Sequence, residues 1–189
     1  DKLSDFCEHG NRPGNCKQCN EQNTPTETNQ DSEKEIANML EQIKNAEPEI
    51  EWQTYIPDKQ FGVVIKLPHE CFISATLNID DAGSRRMYID IFQANKKLRG
   101  TARGDSSGIG KRLLTSLVEE AKKYNVTKLA GHTTSKSALA TRAQVCGQEN
   151  LAFYKHGTIK KVNKTFEEIM AEDNSQNPGR IDYDVVANI

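Results

Sequence analysis

Two groups of residues have types and spacing suited to chemistry. The first is Cys7-x-His9, then six residues, then Cys16-x-x-Cys19. Three thiolates and an imidazole complete a tetrahedral Zn2+ shell, and the turn Arg12-Pro13-Gly14 can fold the two halves together. With nitrogen and sulfur in every position such a site is closed and structural; the alternative is a disordered tail with reduced cysteines. The second group is Arg99-Gly100 and Gly108-Ile109-Gly110, flanking residues 101–107. A helical pattern starts at once after it. Glycines where a strand hands over to a helix N-terminus suit an anion, because backbone N–H groups and the positive helix end point at it. A tight strand-to-helix turn with no ligand is the plainer reading of the same glycines.

Rival chemistries fit this loop poorly. A Walker loop requires glycine where Asp105 stands and Ser or Thr where Arg112 stands. A dinucleotide fingerprint requires a third glycine at Leu113. Gly104-Asp105-Ser106-Ser107-Gly108 echoes a serine-protease nucleophile motif, but that fold is all-β and this stretch opens a helix. Cys146 is better read as a small buried hydrophobe than as a nucleophile.

The elements that position these residues follow from periodicity. Ile36, Met39, Leu40 and Ile43 share one helical face, with Asp31 or Ser32 as the cap and Pro48 beyond the end. Strands are expected at residues 52–56, 61–67, 71–79 and 86–93, with Asp80-Asp81-Ala82-Gly83 as a turn. Short connections favour an antiparallel meander. Ile109, Leu113, Leu114, Leu117, Val118, Ala121 and Tyr124 then form a helical stripe, ended at Asn125. Residues 126–131 read as a buried strand, so strand, loop, helix and strand make a crossover with a parallel pair. His132, Thr133, Thr134 and Ser135 follow at the carboxyl end of that strand, where α/β sheets bind ligands; a strand-exit turn with Ser135 as a helix cap fits equally. A last strand is expected at 181–186, behind Asn177-Pro178-Gly179. The fold class is therefore α/β (α+β), a mixed and mainly antiparallel sheet with flanking helices. The expected domains are a knuckle over 1–20, a flexible linker over 21–30 and one domain over 31–189.

The run from Gln93 through Gly100, continued by Gly108-Ile109-Gly110-Lys111-Arg112-Leu113-Leu114, resembles the acetyl-CoA signature of GNAT acetyltransferases. Residues 150–157, containing Ala152, Phe153, Tyr154 and Gly157, resemble that family's second motif. The resemblance covers roughly residues 50–160. It implies acetyl transfer from acetyl-CoA to an amine acceptor, with cofactor contacts at Phe92, Ala94, Arg99, Gly100, Arg103, Gly108, Ile109, Gly110, Lys111 and Ser135. It further implies Asp90 as the proton-accepting carboxylate and Tyr154, at a helix end, as the acid for the leaving thiolate. Tyr154 stands 22 residues beyond His132, which implies an insertion over 135–148. The Cys-x-His-Gly segment resembles short repeats of some algal and oomycete proteins.

Composition bounds the partners. A net charge of −2 provides no basic field, so general nucleic-acid binding is not expected. No apolar run approaches the ~20 residues needed to cross a bilayer. Mean hydropathy of −0.73 suits a globular domain with polar tails. Of 5 cysteines, three crowd the first 20 residues beside a histidine, which suits a metal site in a reducing, cytoplasmic setting better than disulfides. A start at Asp1 rather than Met leaves room for a segment upstream. The alternative to an enzyme is a non-catalytic acyl-CoA-binding or protein-interaction module that meets a protein partner through its zinc-binding end.

Overall fold

The computed structural model describes residues 26–98, 108–172 and 177–189. The expected zinc ligands Cys7, His9, Cys16 and Cys19 lie outside the described residues, as do Arg99, Gly100 and Arg103. The chain divides into two compact units, Asp1–Asn38 and Met39–Ile189.

Helix α1 (Thr26–Asn45) begins in the stretch expected to be a linker, ahead of the anticipated cap at Asp31 or Ser32. No Gly or Pro follows Pro25 until Pro48, so a helix formed around Met39 and Ile43 can extend outward through polar residues of fair helix propensity. Met39 and Ile43 are buried, and Leu40 is half-buried.

Strands β1 (Glu49–Ile56), β2 (Gln60–Leu67), β3 (Cys71–Ile79) and β4 (Arg85–Gln93) form the expected antiparallel meander. Helix α2 (Ile109–Lys123) crosses to β5 (Lys128–Ser135), which lies parallel to β4. Helix α3 (Lys136–Cys146), β6 (Leu151–Lys155), the short α4 (Phe166–Met170) and β7 (Arg180–Asn188) complete the chain. The seven strands run in the order β1-β2-β3-β4-β5-β7-β6. The mixed, mainly antiparallel α/β class is as expected.

Alternation along the strands directs one face to the helices. Val63, Ile65, Ile73, Leu77, Met87 and Ile89 are buried from the sheet side, and Leu113, Leu114 and Leu117 of α2 are buried from the helix side. A second cluster joins Leu139 of α3 to Phe153, Ile169, Ile181 and Val185. Glu120 of α2 is also buried, at 7% exposure, with its carboxylate held by Trp52 Nε1 at 3.0 Å and Lys123 Nζ at 2.6 Å. Burial pushes its pKa up, but these two donors outweigh burial and leave it lowered. Trp52→Phe removes the neutral donor from a buried acceptor and should destabilise the fold by about 1–3 kcal/mol. A denaturant titration that places Trp52→Phe within experimental error of the parent would show that the bond carries nothing.

The elements departing most from expectation follow β5. That strand does not stop at residue 131 but continues through His132, Thr133 and Thr134, paired to β7 as far as Ser135↔Arg180. Residues 136–146, inside the implied insertion, are α3. Gly147 ends it at φ 83°, and the chain re-enters the sheet as β6, pairing Phe153↔Val185 and Tyr154↔Asp184. Tyr154 therefore lies on a strand, not at a helix end.

Candidate functional site

The sheet has a seam where two neighbouring strands part. Strands β4 and β5 share only three register pairs, Met87↔Leu129, Tyr88↔Ala130 and Ile89↔Gly131, although they are nine and eight residues long. Beyond Ile89 and Gly131 they diverge at their carboxyl ends. A bulge accompanies the divergence: Ser74 pairs with Ile91 and Ala75 with Ile89, leaving Asp90 as the extra residue of β4. From Ile91 to Gln93 one edge of β4 remains bonded to β3, while its other edge faces the notch.

Helix α2 starts beside this notch. Gly108 caps it at φ 73° with no side-chain cap bond, and a Cβ there would meet nothing within 4 Å. The helical ladder opens with Arg112 N donating to Gly108 O at 2.9 Å, so the amides of Gly110 and Lys111 fall outside it. Gly110 allows close packing, since a Cβ would lie 3.2 Å from Phe92 Cζ and 3.6 Å from Thr141 Cγ2. Ile109 is 4% exposed, so its side chain is core and only its backbone faces the turn. Lys111 is exposed. Arg112 is committed elsewhere: Nη1 donates to Ile43 O at 2.5 Å and Nη2 to Ala46 O at 2.7 Å, capping α1. Phe92 and Ala94 are half-buried along the end of β4. Ser135 is the N-cap of α3, its hydroxyl oxygen accepting from Ala138 N at 3.2 Å.

A buried cation underlies the notch. Arg142 of α3 is 4% exposed; Nη1 reaches Val185 O only at 3.4 Å, and Nε has no partner among the described residues. Gly131 leaves its space, because a Cβ there would fall 2.7 Å from Arg142 Nη2. Burial pushes this guanidinium down to about 10, against the pull of Cys146, Tyr88 and Asp184, so it stays charged at neutral pH. Thr133 Oγ1, on β5, is likewise buried without a partner among the described residues. A charge so poorly compensated destabilises the fold. Arg142→Met should therefore raise the melting temperature by a few degrees, and a fall of similar size would show that the guanidinium has a stabilising role.

The sheet face turned away from α2 and α3 is polar. Thr76 Oγ1 donates to Asp90 Oδ2 at 2.7 Å, which fixes the bulged carboxylate on that face. His132 Nε2 lies 2.7 Å from Asp182 Oδ1, and His156 Nδ1 lies 2.9 Å from Asp184 Oδ1. The two imidazoles stack with centroids 3.6 Å apart and planes at 18°. The hydrogen bond to Asp184 raises the His156 pKa. Asp184 is pushed up by burial, but His156 and the Gly157 amide outweigh this and leave its pKa lowered. Tyr154 occupies β6, separated from β5 by β7, so its Cα lies roughly 10 Å from β5 with the side chain perpendicular to the sheet. The structure thus gathers Asp90, Phe92, Gly108 and Gly110 at the notch and leaves Tyr154 apart.

Sequence reasoning missed Arg142, His156, Asp182 and Asp184. Their neighbours come from distant positions, and no local spacing marks them. Only Gly131, a glycine inside a strand pattern, was a visible hint of close approach.

No protein-family model matches the chain, and no curated protein matches it. Among solved structures, the chain is similar to a proposed acetyltransferase from Agrobacterium tumefaciens, at 15% identity and TM-score 0.33, over 88% of this chain and 94% of that one. It is also similar to a GNAT family acetyltransferase from Elizabethkingia anophelis with acetyl-CoA bound, at 15% identity and TM-score 0.41, over 75% of this chain and 98% of that one.

Proposed function

We propose that the chain is an acyl-CoA-dependent N-acetyltransferase that moves an acetyl group from acetyl-CoA to an amine. The observation that carries this reading is the divergence of β4 from β5 beside the uncapped start of α2. An extended chain with amide groups, such as a pantetheine arm, can hydrogen-bond to an open strand edge much as a further strand does. A pyrophosphate at its far end suits the α2 amides and the positive helix terminus. The open space at Gly108 and the lack of a side-chain cap fit that group. The sequence resemblance supports the same assignment.

In this reading acetyl-CoA supplies an activated thioester, and the protein supplies position and proton handling. The amides of Gly110 and Lys111 hold the pyrophosphate, and the β4 edge from Ile91 to Gln93 orients the arm. Asp90, held by Thr76, accepts the proton of the incoming amine as its nitrogen bonds to the acetyl carbon; the C–S bond then breaks, and the CoA thiolate leaves and takes its proton from solvent. Calorimetry with acetyl-CoA and with free CoA, followed by a thiol-release screen of amines, tests the proposal. Absence of binding at millimolar acetyl-CoA would remove it.

We also infer that Cys7, His9, Cys16 and Cys19 form a separate structural zinc knuckle, supported by their spacing alone. Titration with Co2+ should give an intense thiolate-to-metal charge-transfer band that Cys16→Ser abolishes. No such band in the parent chain would reject the knuckle.

A further inference from the structure

We propose that His132, His156 and Asp182 bind a divalent transition-metal ion of the zinc class on the polar face of the sheet, with Asp184 orienting His156. The proposal stands independently of acyl transfer and of the N-terminal cysteines. Strand β7 lies between β5 and β6. His132, from β5, and His156, just past β6, lean over β7 from its two sides. Asp182 and Asp184, two residues apart on β7, stand beneath them. Each of His132, His156 and Asp182 presents a ligand atom, and these atoms lie within 4.8 Å of one another.

The hydrogen bonds suit ligation. Asp184 Oδ1 engages His156 Nδ1, and its other oxygen accepts from Gly157 N at 2.9 Å. A carboxylate anchored in this way keeps the proton on Nδ1 and turns Nε2 outward as a ligand, the arrangement in which histidines commonly hold metals. His132 Nε2 and Asp182 Oδ1 are 2.7 Å apart. At the tetrahedral angle two donors each ~2.1 Å from one ion stand about 3.4 Å apart, so an ion can replace the shared proton once the pair opens by about 0.7 Å. The stacked rings must fan apart, because a ring lone pair lies in the ring plane. Their side-chain exposures of 32% and 47% leave room for that rotation. Two imidazoles and one carboxylate favour Zn2+, Co2+ or Ni2+ over Mg2+ or Ca2+, and solvent takes the remaining position.

The test uses the full chain carrying Cys7→Ser, Cys16→Ser and Cys19→Ser, which removes the N-terminal thiolates; Cys71 and Cys146 are buried. Calorimetry with Zn2+ and absorption with Co2+ should show about one equivalent bound without a thiolate charge-transfer band. His132→Ala and His156→Ala should each weaken Zn2+ at least tenfold, and Asp184→Asn by about 10–100-fold. Millimolar Mg2+ should not compete. The glutamine variants of both histidines keep side-chain volume, and melting temperatures without metal verify that every variant folds. No Zn2+ binding in this serine-substituted background, undiminished binding in the folded histidine variants, or equal displacement by Mg2+ would each overturn the site.

Discussion

Asp90→Asn should lower turnover by about 10²–10⁴-fold, the usual contribution of a positioned proton acceptor, while CoA affinity stays within about threefold. The substitution preserves shape, because an amide oxygen can still accept the bond that Thr76 Oγ1 now donates to Asp90 Oδ2. What it removes is basicity at the one extra residue of β4, where the strand leaves β5. Asp90 is exposed and packs into no core, so its loss should hardly move the melting temperature. Tyr154→Phe is the paired experiment. A phenol on β6, beyond β7, does not reach the notch from its strand position, so turnover should be unaltered. A 100-fold loss in Tyr154→Phe at constant CoA affinity would instead reinstate Tyr154 as the acid. Unchanged turnover in Asp90→Asn would remove the carboxylate from the mechanism.

Gly110→Asp should weaken acetyl-CoA binding at least tenfold. The position lies in the first turn of α2, where an acidic side chain favours the helix dipole, so charge alone should not unfold the free protein. It would, however, put a carboxylate where the proposed pyrophosphate accepts hydrogen bonds. The added Cβ would also meet Phe92 Cζ at 3.2 Å, so the ring tip must shift by a few tenths of an ångström. Gly110→Ala carries the same Cβ without the charge and measures that steric part. Equal losses in both variants would assign the effect to packing against β4 rather than to an anion. Hydrogen exchange offers an independent readout: acetyl-CoA should protect residues 99–114, and no change there would dismiss the anion assignment.

Local chemistry was enough for the meander and for α2. Alternation in Cys71–Ile79 and Arg85–Gln93, and the stripe from Ile109 to Ala121, repeat with periods set by the backbone, whatever the rest of the chain does. The same holds for the glycines at the start of α2, which a short sequence window displays in full.

Pairing, which depends on residues far away, decided the rest. Residues 151–155 are few, and a four-residue apolar run ending at Lys155 is compatible with either helix or strand; hydrogen bonds to β7, some thirty residues on, make it β6. Extending β5 through Ser135 likewise required β7. The parting of β4 from β5 is a failure of register between strands separated by a whole helix, which no local window contains. Arg142 under Gly131, and His132 against His156 above Asp182 and Asp184, arise only when β5, β6, β7 and α3 are folded together. The sequence alone determined the meander strands, the helix that opens on glycine and the acidic residue of β4, because those are encoded within a few residues. Only the tertiary structure decided where the strands part and which titratable groups meet, because side chains from separate strands become neighbours only once the sheet has chosen its order.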